Sequence, residues 1–172
     1  ITVVLAPASL FGQKALTAED KQKAAETVYR LLDRYAAYSQ LKSYDKSITS
    51  QEVVNRYLAL FVSEAEVVGD IKPEQMGKRT SKPNSTTVEA YVDEILQSFP
   101  NGLASAEVNN ALIDFSELEN DQVTIRIKKT ISGKAMNVTG VGTSLYRSQT
   151  EQLLTINFVN GYGVAKIVKS TL

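Results

Sequence analysis

Hydrophobic positions recur at helical spacing in the first part of the chain and alternate one by one in the second, with the change near Gly102. The first helix is predicted from about Ala18 to Gln40. Ala24, Val28, Leu31, Leu32 and Tyr35 form one apolar stripe, with Lys21, Lys23, Arg30, Asp33 and Arg34 largely off it. Thr17 caps this helix, with Asp20 three residues on and Glu19 at the positive end of the dipole. A second helix is predicted from Ser50 to Val62. It opens with a Thr49–Glu52 capping box and buries Val53, Val54, Tyr57, Leu58, Phe61 and Val62. A short strand, Ala65–Val68, should follow and end near Gly69-Asp70. The segment 71–84, with Pro73, Gly77 and Pro83, reads as a loop. The third helix spans about Thr87 to Ser98. Thr86 and Glu89 are its capping box, its apolar set is Val88, Tyr91, Val92, Ile95, Leu96 and Phe99, and Pro100-Asn101-Gly102 ends it.

From there the chain reads strand after strand. Val108–Leu118 is long and mixed. Val123, Ile125, Ile127 and Lys129 alternate with Thr124, Arg126, Lys128 and Thr130, the signature of a half-buried strand. Ser132-Gly133-Lys134 reads as a turn, Met136–Tyr146 and Leu153–Val159 as further strands, Asn160-Gly161 as a hairpin turn, and Val164–Val168 as the last strand. Helices followed by strands predict an α+β fold: three N-terminal helices packed in a strongly curved, mostly antiparallel sheet. No repeat and no second domain boundary appears, so residues 13–172 are expected to form one domain.

Composition removes several function classes. The 172 residues contain 19 Lys+Arg and 19 Asp+Glu, a formal net charge of zero, which argues against a nucleic-acid binder relying on a broad positive field. There is no Cys and no His, so no disulfide, no Cys/His zinc site, no Cys nucleophile and no Ser-His-Asp triad can form within the chain. Gly140-Val141-Gly142 lacks the third glycine and the following helix of a dinucleotide loop. Glu64 and Glu66 share a strand face, but two acids do not make a metal site. No metal and no cofactor is expected. Ile1–Gly12 is uncharged and mostly apolar. It reads as the remnant of a signal peptide, with an N-terminal strand as the alternative, and it is shorter than the roughly 20 apolar residues of a membrane-spanning helix. Export to a periplasm or the exterior is the resulting expectation.

The segment Val53–Asp70, VVNRYLALFVSEAEVVGD, resembles the signature of the nuclear-transport-factor-2-like superfamily. A helix ending in Leu58-Ala59-Leu60-Phe61 passes through Ser63-Glu64-Ala65 into a strand that carries an Asp near its end. The third helix with its exit turn, VEAYVDEILQSFPNG, is similar to that family's third helix, and the resemblance extends over about Thr17–Leu172. It implies a cone in which a bent sheet wraps helices around an apolar pocket. Its members include ketosteroid isomerases, polyketide cyclases, dehydratases, transport adaptors and pocket-bearing domains without known chemistry. The isomerase-like members imply Asp70 as a base that takes a proton next to a carbonyl. They also imply hydroxyl donors, for which Tyr29, Tyr35 and Tyr57 are available, and a second acid, for which Asp114 between Ile113 and Phe115 stands. Tyr91 joins this ligand-binding set. Scytalone-dehydratase-like chemistry, which depends on pocket histidines, is left out.

Each residue has a plainer alternative. Asp70 can cap the charged loop after it, and the tyrosines can sit at the core edge with their hydroxyls in water. Arg126, Lys128, Lys129 and Lys134 put positive charge on one hairpin, either as an anion or partner surface or as a solvated sheet face. The expectation is therefore an exported pocket-bearing domain that binds a small apolar ligand or a partner protein without catalysis. It has no nucleic-acid partner and no membrane span, and homodimers form through the open sheet face. The alternative is a cofactor-free isomerase or cyclase with Asp70 as base. A catalyst needs Asp70 turned inward beside a Tyr or a second acid in an apolar cavity, whereas a binding module can leave it in solvent.

Overall fold

Thr17 opens the first helix as its spacing predicts. In a computed structural model of the chain, which describes residues 16–43, 47–71, 85–110, 121–137 and 141–172, its hydroxyl accepts from Asp20 N at 3.1 Å while its own N–H donates to Asp20 Oδ2 at 3.2 Å. The helix, α1, spans Ala18–Tyr38 and buries the predicted stripe of Ala24, Val28, Leu31, Leu32 and Tyr35. Helix α2, Ser50–Leu58, is capped by Thr49, whose hydroxyl accepts from Glu52 N at 3.2 Å. It stops short of the predicted Val62. Phe61 and Val62 belong instead to strand β1, Phe61–Val68, where Phe61 pairs with Ile167 and Leu60 O accepts from Ile167 N at 2.8 Å. Sheet pairing here overrides a helical hydrophobic spacing.

A three-residue strand β2, Ser85–Thr87, lies antiparallel to β1 and leads directly into helix α3, Val88–Ser98. The cap of α3 is Thr87, one residue later than predicted, and its hydroxyl accepts from Ala90 N at 3.2 Å. Strand β3 is Ser105–Asn110. The rest of the predicted Val108–Leu118 strand, with Asp114, lies outside the described residues, as do Ile1–Gly12 and the loop 72–84.

Strands β4, Gln122–Met136, and β5, Thr143–Val159, are longer than the sequence pattern predicts. Ser132-Gly133-Lys134 is not a turn: these residues pair with Arg147, Tyr146 and Leu145, and the chain reverses only after Met136, which pairs with Thr143. Gly133 is required there for packing, not for turning. A Cβ on it would lie 3.0 Å from Cδ1 of the buried Phe99 ring. Strand β6 is Val164–Thr171, and pairing of Val159 with Val164 leaves 160–163 as the turn, with Asn160 at φ 56° and Gly161 at φ 84°.

The sheet order is β2-β1-β6-β5-β4-β3. Strands β3 to β6 form the predicted antiparallel meander, and β1 joins β6 in parallel. Helices and sheet share one core that includes Val28, Tyr57, Ile95, Phe99, Ile127, Leu154 and Ile167.

Candidate functional site

β1 ends at Val68, and the two residues that follow deliver Asp70 into the interior. Its carboxylate is engaged on both oxygens. The Tyr91 hydroxyl, from α3, donates to Oδ1 at 2.7 Å, and the Lys129 ammonium, from β4, lies 2.8 Å from Oδ2. The side chains of Lys129 and Asp70 are each 1% exposed. Lys129 also donates to the hydroxyls of Tyr35, at 3.2 Å, and Tyr91, at 3.1 Å, while its contact with Asp70 Oδ2 is an ion pair without hydrogen-bond geometry.

The polar chain continues toward β5 and β6. Tyr35 OH makes a long contact, 3.5 Å, to Gln152 Oε1, which also accepts from Ser170 Oγ at 3.4 Å, while Gln152 Nε2 donates to Thr150 Oγ1 at 3.3 Å. Aromatic rings enclose this centre. Lys129 Nζ lies 4.8 Å from the Tyr35 ring centroid and 5.3 Å from that of Tyr91. Tyr57 packs against Tyr35 at 6.1 Å, Phe61 at 5.2 Å and Tyr91 at 6.4 Å between centroids.

Burial acts to lower the Lys129 pKa, but the adjacent Asp70 charge and the hydrogen bonds to Asp70 and Tyr35 outweigh it and hold the ammonium above its ordinary value. Lys129 is therefore a cation, and its charge is cancelled by Asp70. Burial, reinforced by neighbouring Asp70 and the other tyrosines, pushes the hydroxyls of Tyr57 and Tyr91 well above the ordinary tyrosine value, so both stay protonated.

Besides Asp70 Oδ2, four buried side-chain atoms among the described residues lack a hydrogen bond of good geometry: Tyr57 Oη, Ser39 Oγ, Gln40 Oε1 and Ser148 Oγ. Ser39 is the C-cap of α1, and Tyr57 lies in the last turn of α2. Tyr57 nonetheless lies within hydrogen-bonding influence of Tyr35, which raises its pKa, and of Ser39, which lowers it.

Of the residues singled out in the sequence, the structure thus brings Asp70, Tyr35, Tyr57 and Tyr91 together. Tyr29 is not among them, being 42% exposed on α1, and Asp114 lies outside the described residues. Asp70 is not a solvated loop cap. Lys129 is not part of a solvated positive hairpin: Arg126, Lys128 and Lys134 are exposed, but Lys129 points inward with Ile125, Ile127 and Ile131. The signal was present in the alternation itself, since Lys129 shares the parity of Val123, Ile125 and Ile127. Gln152 and Ser148 likewise share the buried parity of Tyr146, Leu154 and Ile156 on β5. Ser39 and Ser170 carried no signal. Glu66 is on the surface, 3.8 Å from Lys169, and no group of three metal-ligating side chains exists among the described residues. Among them, no helix is long and apolar enough to cross a membrane.

No protein-family model and no curated protein matches this chain. Solved structures do. A putative scytalone dehydratase from Novosphingobium aromaticivorans superposes with a TM-score of 0.50 at 12% identity, over 90% of this chain and 85% of that one. The hexachlorocyclohexane dehydrochlorinase LinA type 2 gives 0.55 at 11% identity, over 90% and 86%. Mtr2 of Candida albicans gives 0.51 at 10% identity, over 87% and 94%. The chain has the cone fold of the nuclear-transport-factor-2-like superfamily. Structures named for different activities share that fold, so the fold does not assign one to this chain.

Proposed function

We propose that the domain binds a small, largely apolar molecule in the cone interior without transforming it. The observation that carries this reading is a buried Asp70–Lys129 ion pair, bonded to the hydroxyls of Tyr91 and Tyr35 and enclosed by aromatic rings. A general base must have a lone pair directed at the proton it abstracts. Asp70 Oδ1 accepts from Tyr91 and Oδ2 faces the Lys129 ammonium, an arrangement that holds the carboxylate as a counter-ion. Buried pairs of this kind add little net stability over apolar residues of the same volume, so the centre points to a site rather than to a stabilising device. Labelling the tyrosine rings with ¹³C and titrating uncharged aryl compounds tests the reading. Shifts of the Tyr35, Tyr57 and Tyr91 signals are expected, and a panel that moves none of them overturns it.

A second reading keeps the enzyme. Asp70 does point inward beside a tyrosine, as a proton-transferring isomerase or cyclase requires, and dehydratase and dehydrochlorinase structures share the fold. In that case a substrate carbonyl takes over hydrogen bonds from Lys129 and frees Asp70 to act. Isomerisation of cyclohex-3-enone to the conjugated ketone, followed by absorbance, tests it. Turnover lost in Asp70→Asn with the fold intact favours the enzyme, and no turnover favours the binding module.

Export belongs to the same proposal and is supported by the uncharged apolar Ile1–Gly12 segment. Fractionation of cells expressing the native gene should find the protein outside the cytoplasm.

A further inference from the structure

Independently of what the interior binds, we infer that Asn160 is a site of intramolecular deamidation and that the fold directs this modification to it and away from Asn101. The chain has two Asn-Gly dipeptides, Asn101-Gly102 and Asn160-Gly161. In such a pair the backbone nitrogen of the glycine attacks Cγ of the asparagine side chain. The new N–Cγ bond forms as the bond from Cγ to the amide nitrogen breaks. That nitrogen leaves as ammonia, with the proton the glycine nitrogen has lost. Water then opens the resulting cyclic imide at either carbonyl, leaving aspartate or isoaspartate. Glycine favours the attack because it has no Cβ to hinder it and adopts many backbone conformations. Both asparagines are exposed, so access of water does not separate the two sites.

The surroundings of the glycines do separate them. Ring closure requires the Asn–Gly peptide to rotate until its nitrogen faces the side chain. At Gly102 that nitrogen donates to Phe99 O at 2.8 Å, and the next, Leu103 N, donates to Gln40 O at 2.8 Å. A Cβ on Gly102 would lie 2.6 Å from Gln40 O and 2.9 Å from Leu41 O, so the turn is packed against the backbone that follows α1. Rotation there breaks hydrogen bonds and meets fixed atoms. At Gly161 nothing lies within 4 Å of the corresponding position, and among the described residues no backbone hydrogen bond engages its nitrogen. Asn160 sits at φ 56°, which an L residue holds at some cost, so its own preference does not oppose the rotation. The product bears on the fold. Isoaspartate adds a carbon to the main chain of the loop between the paired Val159 and Val164, and that loop is fixed to α1 by Thr27 Oγ1, which donates to Tyr162 O at 2.7 Å. Either product also gives a negative charge to a chain whose formal net charge is zero.

The test incubates the full chain at mildly alkaline pH, once native and once in urea. Ammonia release is followed, and peptide mapping measures aspartate and isoaspartate at each Asn-Gly site. Expected in the native chain is conversion of Asn160 while Asn101 stays intact, and in urea conversion of both at comparable rates. Asn160→Gly, which keeps a residue tolerant of positive φ, should retain the fold by circular dichroism and release no ammonia from the native state at this site. If native Asn160 survives as long as native Asn101 while both convert in urea, the hairpin loop protects its glycine nitrogen and the inference is wrong. It is equally wrong if native Asn101 converts alongside Asn160. The isoaspartate form, separated by ion exchange, should unfold at a lower urea concentration than the parent, and an equal midpoint would overturn the consequence drawn for the β5–β6 loop.

Discussion

Lys129 and Asp70 meet at 2.8 Å although their strands are not neighbours in the sheet. Asp70 follows β1 and Lys129 lies in β4, with β6 and β5 between them. Three strand spacings of about 4.8 Å would put the two backbones roughly 14 Å apart in a flat sheet. The inward curl of the sheet, with the reach of the lysine side chain, closes that gap. The pair is therefore a direct report on the integrity of the cone.

Removing one partner should be far worse than removing both. Lys129→Met or Asp70→Leu alone leaves a buried, unpaired charge and should lower the unfolding free energy by about 3–5 kcal/mol. The double variant should recover most of that loss. Urea denaturation of the four chains gives the coupling, and additive losses would show that the two groups do not interact as drawn.

Tyr57 and Tyr91 should respond oppositely to loss of their hydroxyls. Tyr91→Phe removes a hydrogen bond to a charged carboxylate and should cost about 1.5–3 kcal/mol. Tyr57→Phe removes a buried hydroxyl that has no hydrogen bond of good geometry and should be neutral or stabilising by about 1 kcal/mol. Thermal unfolding of both variants decides this, and a clear loss in Tyr57→Phe would mean its hydroxyl is bonded after all.

Alkaline pH should weaken the fold through the same residues. Lys129, Tyr57 and Tyr91 all have folded-state pKa values above their ordinary ones, 10.5 for lysine and 10.0 for tyrosine. Below about pH 10 both folded and unfolded chains hold these protons, and the contribution is complete. Above it the unfolded chain releases them first, so stability falls as pH rises toward the folded values. Urea midpoints between pH 8 and pH 12 should decline from about pH 10. The decline should be shallower in the Lys129→Met/Asp70→Leu double variant, and an identical slope would remove Lys129 from the account.

Gly102→Ala should be strongly destabilising. Gly102 has φ +70°, and a Cβ there would lie 2.6 Å from Gln40 O, the carbonyl that accepts from Leu103 N at 2.8 Å. An L side chain at this positive φ and a carbonyl this close combine to strain the turn between α3 and β3. Chemical denaturation measures the loss. An unchanged midpoint would show that the turn can adopt another conformation.

The sequence by itself determined the class of fold and most of its local detail. The Thr17–Asp20 and Thr49–Glu52 caps, the stripe from Ala24 to Tyr35 and the Asn160-Gly161 turn are written in short-range chemistry, and each is present in the structure. Asp70 was marked by resemblance, and the alternation over 123–131 put Lys129 on the buried face even though its charge argued for solvent. Only the tertiary structure decided what these residues do together. No spacing along the chain shows that Asp70 would find Lys129, or that Tyr35, Tyr57 and Tyr91, from three helices, would share one interior. It also decided that Phe61 is strand rather than helix and that Gly133 accommodates Phe99 rather than making a turn. The physical reason is range: caps and turns are satisfied within a few residues, whereas a buried charge is tolerable only once the curled sheet has brought its partner to it.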